Sequence, residues 1–284
     1  MLEEINKYAK KLMHDINNRA AGEFEGYSPF EMHHIIYDTY GSNSPIQILD
    51  LNEDQYKGIP ILNHIKFLAK LIGDAGELKL TAKGNLPPKV VVEIYNQGFY
   101  KNKYIESGIV KLRSEEDSME ISLLKILLLF SGLVKKRNNK LSITKSGAKI
   151  LNDNNCLLKL ILETFCSKYN WAYCDLFGDN KIGQLGHGFS VILLNKYGSE
   201  VRSDRFYADK YFHAFPDILT GLPPESFKDA FVSCYSVRTF DRFFKIFGLI
   251  DMEKTGKYQN ESTIKKSALF DQLIKCLPHR ELYK

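Results

Sequence analysis

A seven-residue frame with the pattern Leu-x-(Ile or Leu)-Thr-x-x-Gly occurs twice in this chain, at 78–84 and at 141–147. A degraded third copy, Ile264 to Ala268, follows the same register with Lys265 at the threonine position. An apolar segment with helical spacing precedes each copy. The second and third copies also share a junction, Phe-Ser-Gly-Leu-Val at 130–134 and Phe-Gly-Leu-Ile at 247–250. Because repeated supersecondary units decide an architecture, these frames predict a chain built of related modules.

The composition is that of a globular protein. Hydrophobic residues make up 44% and charged residues 26% of the 284, so wholesale disorder is not expected. No apolar run approaches the ~18 residues that a membrane-spanning helix needs. The first residues, Met1 to Glu4, are acidic and lack the apolar segment of a signal peptide. We therefore expect a cytoplasmic protein that does not contact a membrane.

The cysteines predict neither a disulfide framework nor a metal site. There are five of them, an odd number, and none belongs to a Cys-x-x-Cys pair. Reduced, buried thiols fit this spacing and the inferred compartment better than bridges do. We expect all five to be reduced and mostly buried, and we expect no metal and no cofactor.

The charge of the chain leaves the partner open. Net charge is +5 and the isoelectric point is near 8.7. A domain dominated by a nucleic-acid surface has an isoelectric point above ~9. The charge therefore permits a polyanionic partner and does not require one.

The pattern along the chain predicts an α+β, mostly helical fold with short antiparallel hairpins. Residues 1–58 are predicted to form an N-terminal helical cap, in which Ser28 to Glu31 has the sequence of a capping box. Residues 59–152 are expected to hold two repeats, and residues 153–224 an irregular helical connector with a glycine cluster. The third repeat is assigned to residues 225–284.

Two hairpins are specific expectations of this interpretation. Leu133–Arg137 should pair with Leu141–Thr144 across an Asn-Asn turn, because asparagine tolerates the positive φ that a two-residue turn requires. Leu249–Lys254 should pair in the same way with Ser262–Lys265. A helix should follow each hairpin at once, and Thr144 is placed to cap the first of these helices.

Helix, helix, β-hairpin and a short packing helix is the layout of a winged-helix domain. The junctions at 130–134 and 247–250 are similar to those that lead into many wings. The chain thus resembles a set of tandem winged-helix modules, in its second and third repeats and partly in its first. The stretch Leu78 to Pro88 also resembles uncharacterised plasmid-type proteins of the pRiA4b ORF-3 kind, which carry no known chemistry. Winged helices serve many functions, so the resemblance implies a fold more than an activity.

In a DNA-binding winged helix, the helix before the wing enters the major groove and the wing touches phosphate. The pre-wing helix of the second repeat, Ile121–Phe130, is apolar nearly all round, which predicts burial on both faces. Its wing, Lys135 to Lys140, is basic and carries Lys135, Lys136 and Arg137 in succession. These three side chains are candidates for phosphate contact, and the alternative is a solvated hairpin tip.

The third repeat fits DNA binding better. Arg238, Arg242 and Lys245 recur at i, i+4 and i+7 of its pre-wing helix, on a different face from the apolar stripe. We expect these cations to be exposed beside the wing segment Lys254–Lys257 and to contact bases or phosphates. An internal ion pair with Asp241 is the structural alternative. Buried arginines would favour a scaffold role instead.

The usual enzyme motifs do not occur in the sequence. There is no nucleophile elbow and no His-Glu-x-x-His, and the glycine cluster at 183–188 lacks the Lys-Ser or Lys-Thr of a phosphate-binding loop. We expect this cluster to be a turn-rich connector that no helix clearly follows. One group is able to assemble a site, although no spacing demands it: His187, His213, Asp175, Asp179 and Cys174.

These patterns favour a non-enzymatic protein and leave two main hypotheses. The first is nucleic-acid binding through the third repeat. The second is a protein-interaction scaffold, in which wing modules pack on each other and present a surface to a partner chain. The apolar helix of the second repeat favours this second hypothesis. A hydrolase-type enzyme is a third alternative.

Overall fold

A computed structural model describes residues 1–220, 228–255 and 261–280. The chain divides into two compact units. Unit 1 comprises Met1–Leu49, Trp171–Lys245 and Leu249–Lys284, and unit 2 comprises Asp50–Asn170 with Ile246–Gly248. The predicted class is confirmed, because the chain is mostly helical with small antiparallel sheets.

The elements follow one another in this order. Unit 1 opens with α1 (Leu2–Asn18), α2 (Pro29–Tyr37) and β1 (Ile46–Ile48). Unit 2 contains α3 (Glu53–Lys57), α4 (Pro60–Asp74), β2 (Leu78–Lys79), α5 (Pro88–Tyr95), α6 (Lys103–Glu106), a 3-10 turn (Glu115–Asp117), α7 (Met119–Phe130), β3 (Val134–Arg137), β4 (Lys140–Ile143), α8 (Lys145–Ile150), α9 (Asn154–Glu163) and a π-helical turn (Thr164–Lys168). Unit 1 then resumes with α10 (His187–Tyr197), β5 (Arg202–Ser203), α11 (Asp204–Ala214), a 3-10 turn (Pro216–Leu219), α12 (Lys228–Tyr235), a π-helical segment (Ser236–Phe244), β6 (Ile250–Thr255), β7 (Glu261–Lys266), α13 (Ala268–Leu273) and β8 (Ile274–Cys276).

The first two copies of the repeated frame are neighbouring strands of one sheet. β2 pairs antiparallel with β4, so that Leu78 lies opposite Leu141 and Lys79 opposite Lys140. β4 also pairs with β3, which gives the strand order β2-β4-β3. Residues 59–152 therefore form one module with a shared sheet instead of the two predicted repeats.

Both predicted hairpins are confirmed. β3 pairs antiparallel with β4, and β6 pairs antiparallel with β7. The turn between β3 and β4 uses Asn138 and Asn139, whose φ angles of 49° and 56° are positive as a two-residue hairpin turn requires. α8 follows the first hairpin and α13 follows the second.

The Thr-x-x-Gly part of the repeated frame forms two different local structures. The side chain of Thr144 caps α8 by accepting a hydrogen bond from the backbone N–H of Gly147 at 2.9 Å. A Cβ on Gly147 would lie 2.2 Å from the carbonyl oxygen of Leu133, which explains the glycine. In the other copy, the N–H of Gly84 donates to the carbonyl of Thr81 at 2.8 Å in a turn, and the φ of Gly84 is +82°.

The structural counterpart of Thr144 in unit 1 is Ser267, and the predicted correspondence with Lys265 is wrong. Ser267 caps α13 with its side chain, as Thr144 caps α8. The backbone N–H of Ser267 donates to the carbonyl of Leu249, as that of Thr144 donates to the carbonyl of Leu133, both at 3.0 Å. The shared junction before each hairpin therefore marks a real equivalence.

Apart from the short α6 and the 3-10 turns, one stretch of each unit has the same order of helices and strands. In unit 2 this sequence is α4, β2, α5, α7, β3 and β4, and in unit 1 it is α10, β5, α11, α12 with its π-helical extension, β6 and β7. The sheet of unit 1 has the matching order β5-β7-β6. The segment predicted as a connector, 153–224, thus supplies two helices and a strand to the module of unit 1.

The first and last segments of the described chain meet inside unit 1. β1 pairs antiparallel with β8, with Ile46 opposite Cys276. The hydroxyl of Tyr27 donates a hydrogen bond to the carbonyl of Leu277 at 2.7 Å. Tyr27 directly precedes the predicted capping box that begins α2. Residues 1–49 belong to this unit, so the predicted cap at 1–58 is not a separate domain.

The two cores differ in their chemistry. The core of unit 2 is mainly aliphatic, and the core of unit 1 is rich in fully buried aromatic rings: Tyr207, Tyr211, Tyr235, Phe240, Phe243 and Phe244. Edge-on and tilted pairs connect many of these rings, an arrangement that adds to the stabilisation from burial alone. Among the described residues, no helix combines the length and the apolarity needed to cross a membrane.

No disulfide joins the five cysteines, all of which lie within the described residues. The prediction that they are mostly buried is wrong for Cys156 and Cys174, which are exposed. Cys166 and Cys234 are buried, and Cys276 is half-buried.

Two glycine substitutions in unit 2 test this packing. Gly147→Ala should lower the free energy of unfolding by about 1–3 kcal/mol, because its Cβ would overlap the backbone of Leu133. Gly73→Ala is the matched control, since a Cβ on this residue of α4 meets nothing within 4 Å. It should raise the free energy of unfolding by about 0.5–1 kcal/mol. Urea unfolding followed by far-UV circular dichroism measures the free energy of unfolding of both variants. A change of the same sign in the two variants would contradict the close packing of Gly147 against Leu133.

Candidate interaction surfaces

The helical segment before the β6–β7 hairpin of unit 1 does not offer its arginines to solvent. Arg238 is 0% exposed and Arg242 is 9% exposed, so the prediction of an exposed cationic face is wrong for both. The helix changes at Ser236 from α to π geometry. Its hydrogen bonds there run from residue i+5 to residue i, which alters the 3.6-residue spacing on which the prediction depended.

Arg238 forms a buried ion pair with Asp175 through its Nε atom, and both side chains are fully buried. Its Nη1 atom donates to the carbonyl and the side-chain oxygen of Asn180, each at 2.8 Å. Its Nη2 atom donates to the carbonyl of Gly178 at 2.9 Å. The guanidinium is thus bound on all sides by the loop that precedes α10, and it is not available to a ligand.

Arg242 binds the beginning of the same loop. Its Nη1 atom donates to the carbonyl of Tyr173 at 2.6 Å, and its Nη2 atom donates to the carbonyl of Cys174 at 2.8 Å. Cys174 and Leu176 have positive φ angles of 54° and 67°, which side chains other than glycine seldom adopt. The two arginines therefore hold an otherwise unfavourable backbone in place.

Two of the predicted lysines of unit 1 are also engaged in ion pairs. Lys245 and Lys254 approach the two carboxylate oxygens of Asp241, at 3.5 and 2.8 Å. This is the internal ion-pair alternative that the sequence left open. Lys257 lies outside the described residues.

The outer face of the unit 1 sheet is acidic. In an antiparallel sheet, residues directly opposite each other share a face. Thr263 lies opposite both Ser203 and Glu253, and it is flanked on its own strand by Glu261 and Lys265. Asp251, which is exposed, lies opposite Lys265. Among the described residues of this face there are three carboxylates and one lysine, which make phosphate binding unfavourable there.

The equivalent face of the unit 2 sheet is basic. Lys140 lies opposite both Lys79 and Arg137, and Lys135 lies opposite Ser142, one position pair further along the same face. The four cations are exposed. Their acidic neighbour is Glu77, whose carboxylate lies 2.7 Å from the Nζ atom of Lys140. The hydrogen bond and charge of Lys140, with smaller contributions from Lys135 and Arg137, lower the pKa of Glu77.

The three predicted wing residues are thus divided between two faces. Lys135 and Arg137 belong to the basic outer face. Lys136 lies opposite Leu141 on the inner side of the sheet, and its Nζ atom reaches the turn at Gly84. Lys79 was missed, because the sequence alone did not bring β2 beside β4, whereas Lys140 lies at the end of the predicted basic wing. The charges of the whole units agree with this division: unit 2 has 19 Lys and Arg and 13 Asp and Glu, a net charge of +6, and unit 1 has −1.

α7, the helix before the β3–β4 hairpin of unit 2, is unsuited to reading bases. Five of its twelve residues are buried, but Phe130 is half exposed and Ser122, Ile126 and Leu129 are half-buried, so the predicted burial on both faces is incomplete. Its one lysine, Lys125, pairs with the buried carboxylate of Glu115. The surface of α7 therefore lacks the arginine, asparagine or glutamine side chains that contact base edges.

The predicted histidine group does not assemble. His187 is buried, its Nδ1 atom lies 3.1 Å from the carbonyl of Gln184, and burial lowers its pKa to about 4. His213 is exposed at the end of α11, and Asp175 is bound by Arg238. Within the described ranges, no cluster of histidine, cysteine and acidic residues can hold a metal ion.

The glycine cluster also differs from its prediction in one respect. α10 begins at His187, inside the cluster, with Gly186 at its N-cap and Gly188 in its first turn. A Cβ on Gly186 would lie 2.5 Å from the ring of Phe215, so this helix start is covered by a side chain. It does not offer open backbone N–H groups to a phosphate.

A family model described as the Y4jL N-terminal domain matches residues 57–156, about a third of the chain, which lie within unit 2. No curated protein and no solved structure matches the chain.

The buried ion pair should dominate the stability of unit 1. Arg238→Ala should lower its free energy of unfolding by about 3–5 kcal/mol, because Asp175 would be left buried and unpaired. Trp171, the only tryptophan, is buried in this unit and reports its unfolding by fluorescence. Arg205→Ala removes an exposed ion pair with Asp229 and should cost less than about 1 kcal/mol. Similar losses for the two variants would contradict this ranking.

His187 should make unit 1 less stable in acid. Its folded pKa of about 4 lies below its ordinary value of 6.5, so the unfolded state binds the proton first as the pH falls. The free energy of unfolding should therefore decline from about pH 6.5 towards pH 4, by about 2 kcal/mol at pH 5 from this group. The free energy of unfolding of His187→Asn can be measured in urea by Trp171 fluorescence at pH 7 and pH 5. Its decline between these pH values should be about 2 kcal/mol smaller than that of the original protein. An unchanged decline would rule out this origin.

Proposed function

We propose that each unit contains a winged-helix module and that unit 2 binds the phosphate backbone of nucleic acid. The order of elements supports the first part, since both units run helix, strand, helix, helix and hairpin, with the first strand beside the third. The proposed ligand surface is the basic outer face formed by Lys79, Lys135, Arg137 and Lys140.

The observation that carries the proposal is the strand register of unit 2. It brings together four exposed cations from three strands, with Glu77 as their acidic neighbour. Phosphate neutralisation by lysine and arginine supplies most of the sequence-independent affinity for nucleic acid. The equivalent face of unit 1 is acidic, so this arrangement of strands does not by itself place a cluster of cations on its outer face.

The chemistry of the face favours a duplex backbone over single-stranded bases. Its side chains are lysine, arginine, serine and glutamate, without an aromatic ring on which a base can stack. The pre-wing helices of both units lack available base-reading side chains. We therefore expect sequence-independent binding, in contrast to the sequence-based hypothesis of contact through Arg238 and Arg242.

A salt titration with random duplex DNA tests the proposal. The affinity should fall steeply with salt, because phosphate contacts release counterions. Lys135→Ala with Arg137→Ala should weaken binding and reduce the salt slope by about 2, since each cation that is removed neutralises one phosphate. Glu77→Gln should have the opposite effect and tighten binding, because it removes the acidic neighbour of the four cations.

The matched control removes two exposed lysines of unit 2 that lie away from the sheet. Lys70→Ala with Lys159→Ala changes the net charge by the same amount, and both residues are in helices. This variant should keep the salt slope of the original protein. Absent binding, or equal effects of the two double variants, would contradict a defined site. Tighter binding of single-stranded DNA than of duplex would contradict the preference for a duplex.

The second candidate function is a protein-interaction scaffold. It is favoured by the burial of Arg238 and Arg242, which closes the C-terminal pre-wing helix to nucleic acid. α1 also supports it, because apolar side chains of this helix, among them Leu2, Ile5 and Leu12, are exposed. Both functions are compatible in one chain, because they use different surfaces.

A further inference from the structure

The hairpins of the two units can be aligned residue by residue. Leu133 and Leu249 are equivalent, because the carbonyl of each accepts a hydrogen bond from the residue that caps the following helix. This alignment matches exposed residues at the second and fourth positions of β3 and β6. The matched pairs are Lys135 with Asp251 and Arg137 with Glu253. The charge is therefore reversed at both positions.

The cross-strand partners support this alignment. In unit 2, Arg137 lies opposite Lys140, the residue of the central strand that also pairs with β2. In unit 1, Glu253 lies opposite Thr263, the residue of the central strand that also pairs with β5. The two outer faces thus have the same arrangement of strands, while the charges at their matched positions differ in sign.

The charges of the two faces are accessible to a partner. Asp251, Glu253 and Glu261 are exposed, and none of them takes part in an ion pair between described residues. On the basic face, Lys79 and Arg137 are likewise exposed and form no ion pair within the described ranges. Each face therefore carries charges that its own unit leaves unpaired.

We propose that the acidic outer face of unit 1 binds the basic outer face of unit 2 in a second copy of this chain. Two faces with the same arrangement of strands and opposite charges at matched positions are complementary to each other. Contact between two acidic faces or between two basic faces would bring like charges together, which is unfavourable. The complementary combination is thus the one that charge permits.

Charge also decides between this occupant and others for the acidic face. Nucleic acid and anionic lipid are both repelled by Asp251, Glu253 and Glu261, so the partner must be basic. The outer face of unit 2 meets this requirement, and its cations are spaced by the same strand pairing as the carboxylates. Exposed ion pairs each contribute little, so the contact should be transient and sensitive to salt.

Self-association and duplex DNA should compete for the same cations. A duplex presents a continuous row of phosphates, whereas the acidic face offers three carboxylates in its described part. DNA should therefore displace the second copy. This competition rests on the proposed function of unit 2, but the association itself does not depend on it.

Sedimentation velocity of the full chain over a concentration series, without nucleic acid, tests the association. At about 50 mM salt the protein should associate reversibly, and the association should be lost at about 500 mM salt, because a shorter Debye length screens the charges. A chain that is monomeric at every concentration in low salt overturns the proposal.

Two charge-reversed variants identify the faces. Lys135→Asp with Arg137→Glu removes the excess of cations from unit 2, and Asp251→Lys with Glu253→Arg makes the face of unit 1 basic. Each variant alone should associate at least about tenfold more weakly than the original protein, because attraction between the faces is lost or replaced by repulsion. An equimolar mixture should associate again, since it combines an original acidic face with an original basic face. A mixture that stays monomeric overturns the proposal.

The matched control is Lys70→Glu with Lys159→Glu, which changes the net charge as much as the unit 2 variant but lies in helices. It should associate like the original protein, and an equal loss in this control would overturn a defined pair of faces. All the substituted residues are exposed, so the fluorescence of Trp171 and the circular dichroism should not change.

DNA binding separates this proposal from the proposed function. Asp251→Lys with Glu253→Arg leaves the basic face of unit 2 intact, so this variant should bind duplex DNA at least as tightly as the original protein while its self-association is lost. Association without DNA binding in the original protein would contradict the function proposed for unit 2 and support the pairing of the faces. DNA binding by a chain that is always monomeric would have the opposite meaning.

Discussion

The buried pair of Arg238 and Asp175 is the interaction on which the architecture of unit 1 depends. Two charges removed from water are stable only when their remaining donors and acceptors are satisfied. Here the backbone carbonyls of the loop before α10 satisfy the guanidinium. The loop therefore needs the arginine as a hydrogen-bond donor to its buried carbonyls and as the counter-ion of Asp175. The arginine in turn needs these groups to offset the cost of removing its charge from water. Arg242 extends the same logic to the beginning of the loop.

This mutual dependence explains why the sequence was misleading at these positions. Arginines at i and i+4 on the polar side of a helix usually face water, and the apolar stripe on the other side was real, since Phe240, Phe244 and Phe247 are buried. The loop that buries them begins more than 60 residues earlier in the chain, at Trp171. Its glycines predicted turns, but nothing in their spacing indicated that the turns would aim carbonyls at this helix. The switch to π geometry at Ser236 was equally invisible, because it depends on packing instead of local propensity.

The sequence predicted local structure correctly where the interacting residues are close together in the chain. The Asn-Asn turn, the cap at Thr144 and the capping box at Ser28 each involve residues within a few positions of one another, and each is present as predicted. The grouping of elements failed because it depends on long-range pairing. The frames at 78–84 and 141–147 look like two copies of one module, yet they are partners in one sheet. Similar apolar patterns arise in adjacent strands because both strands cover the same core.

The candidate ligand surface of unit 2 follows from register more than from composition. Lys135, Lys136 and Arg137 are consecutive, and the pleat sends only the first and third to the outer face. A shift of β3 by one residue would exchange these two cations for Val134 and Lys136. The length and backbone conformation of the turn at Asn138 and Asn139 fix that register. The buried Val134 and Leu141 hold it, because a shift would expose them. The apolar inner face thus determines which charges the outer face presents, and the corresponding strands of unit 1 show that the same fold can present the opposite charge.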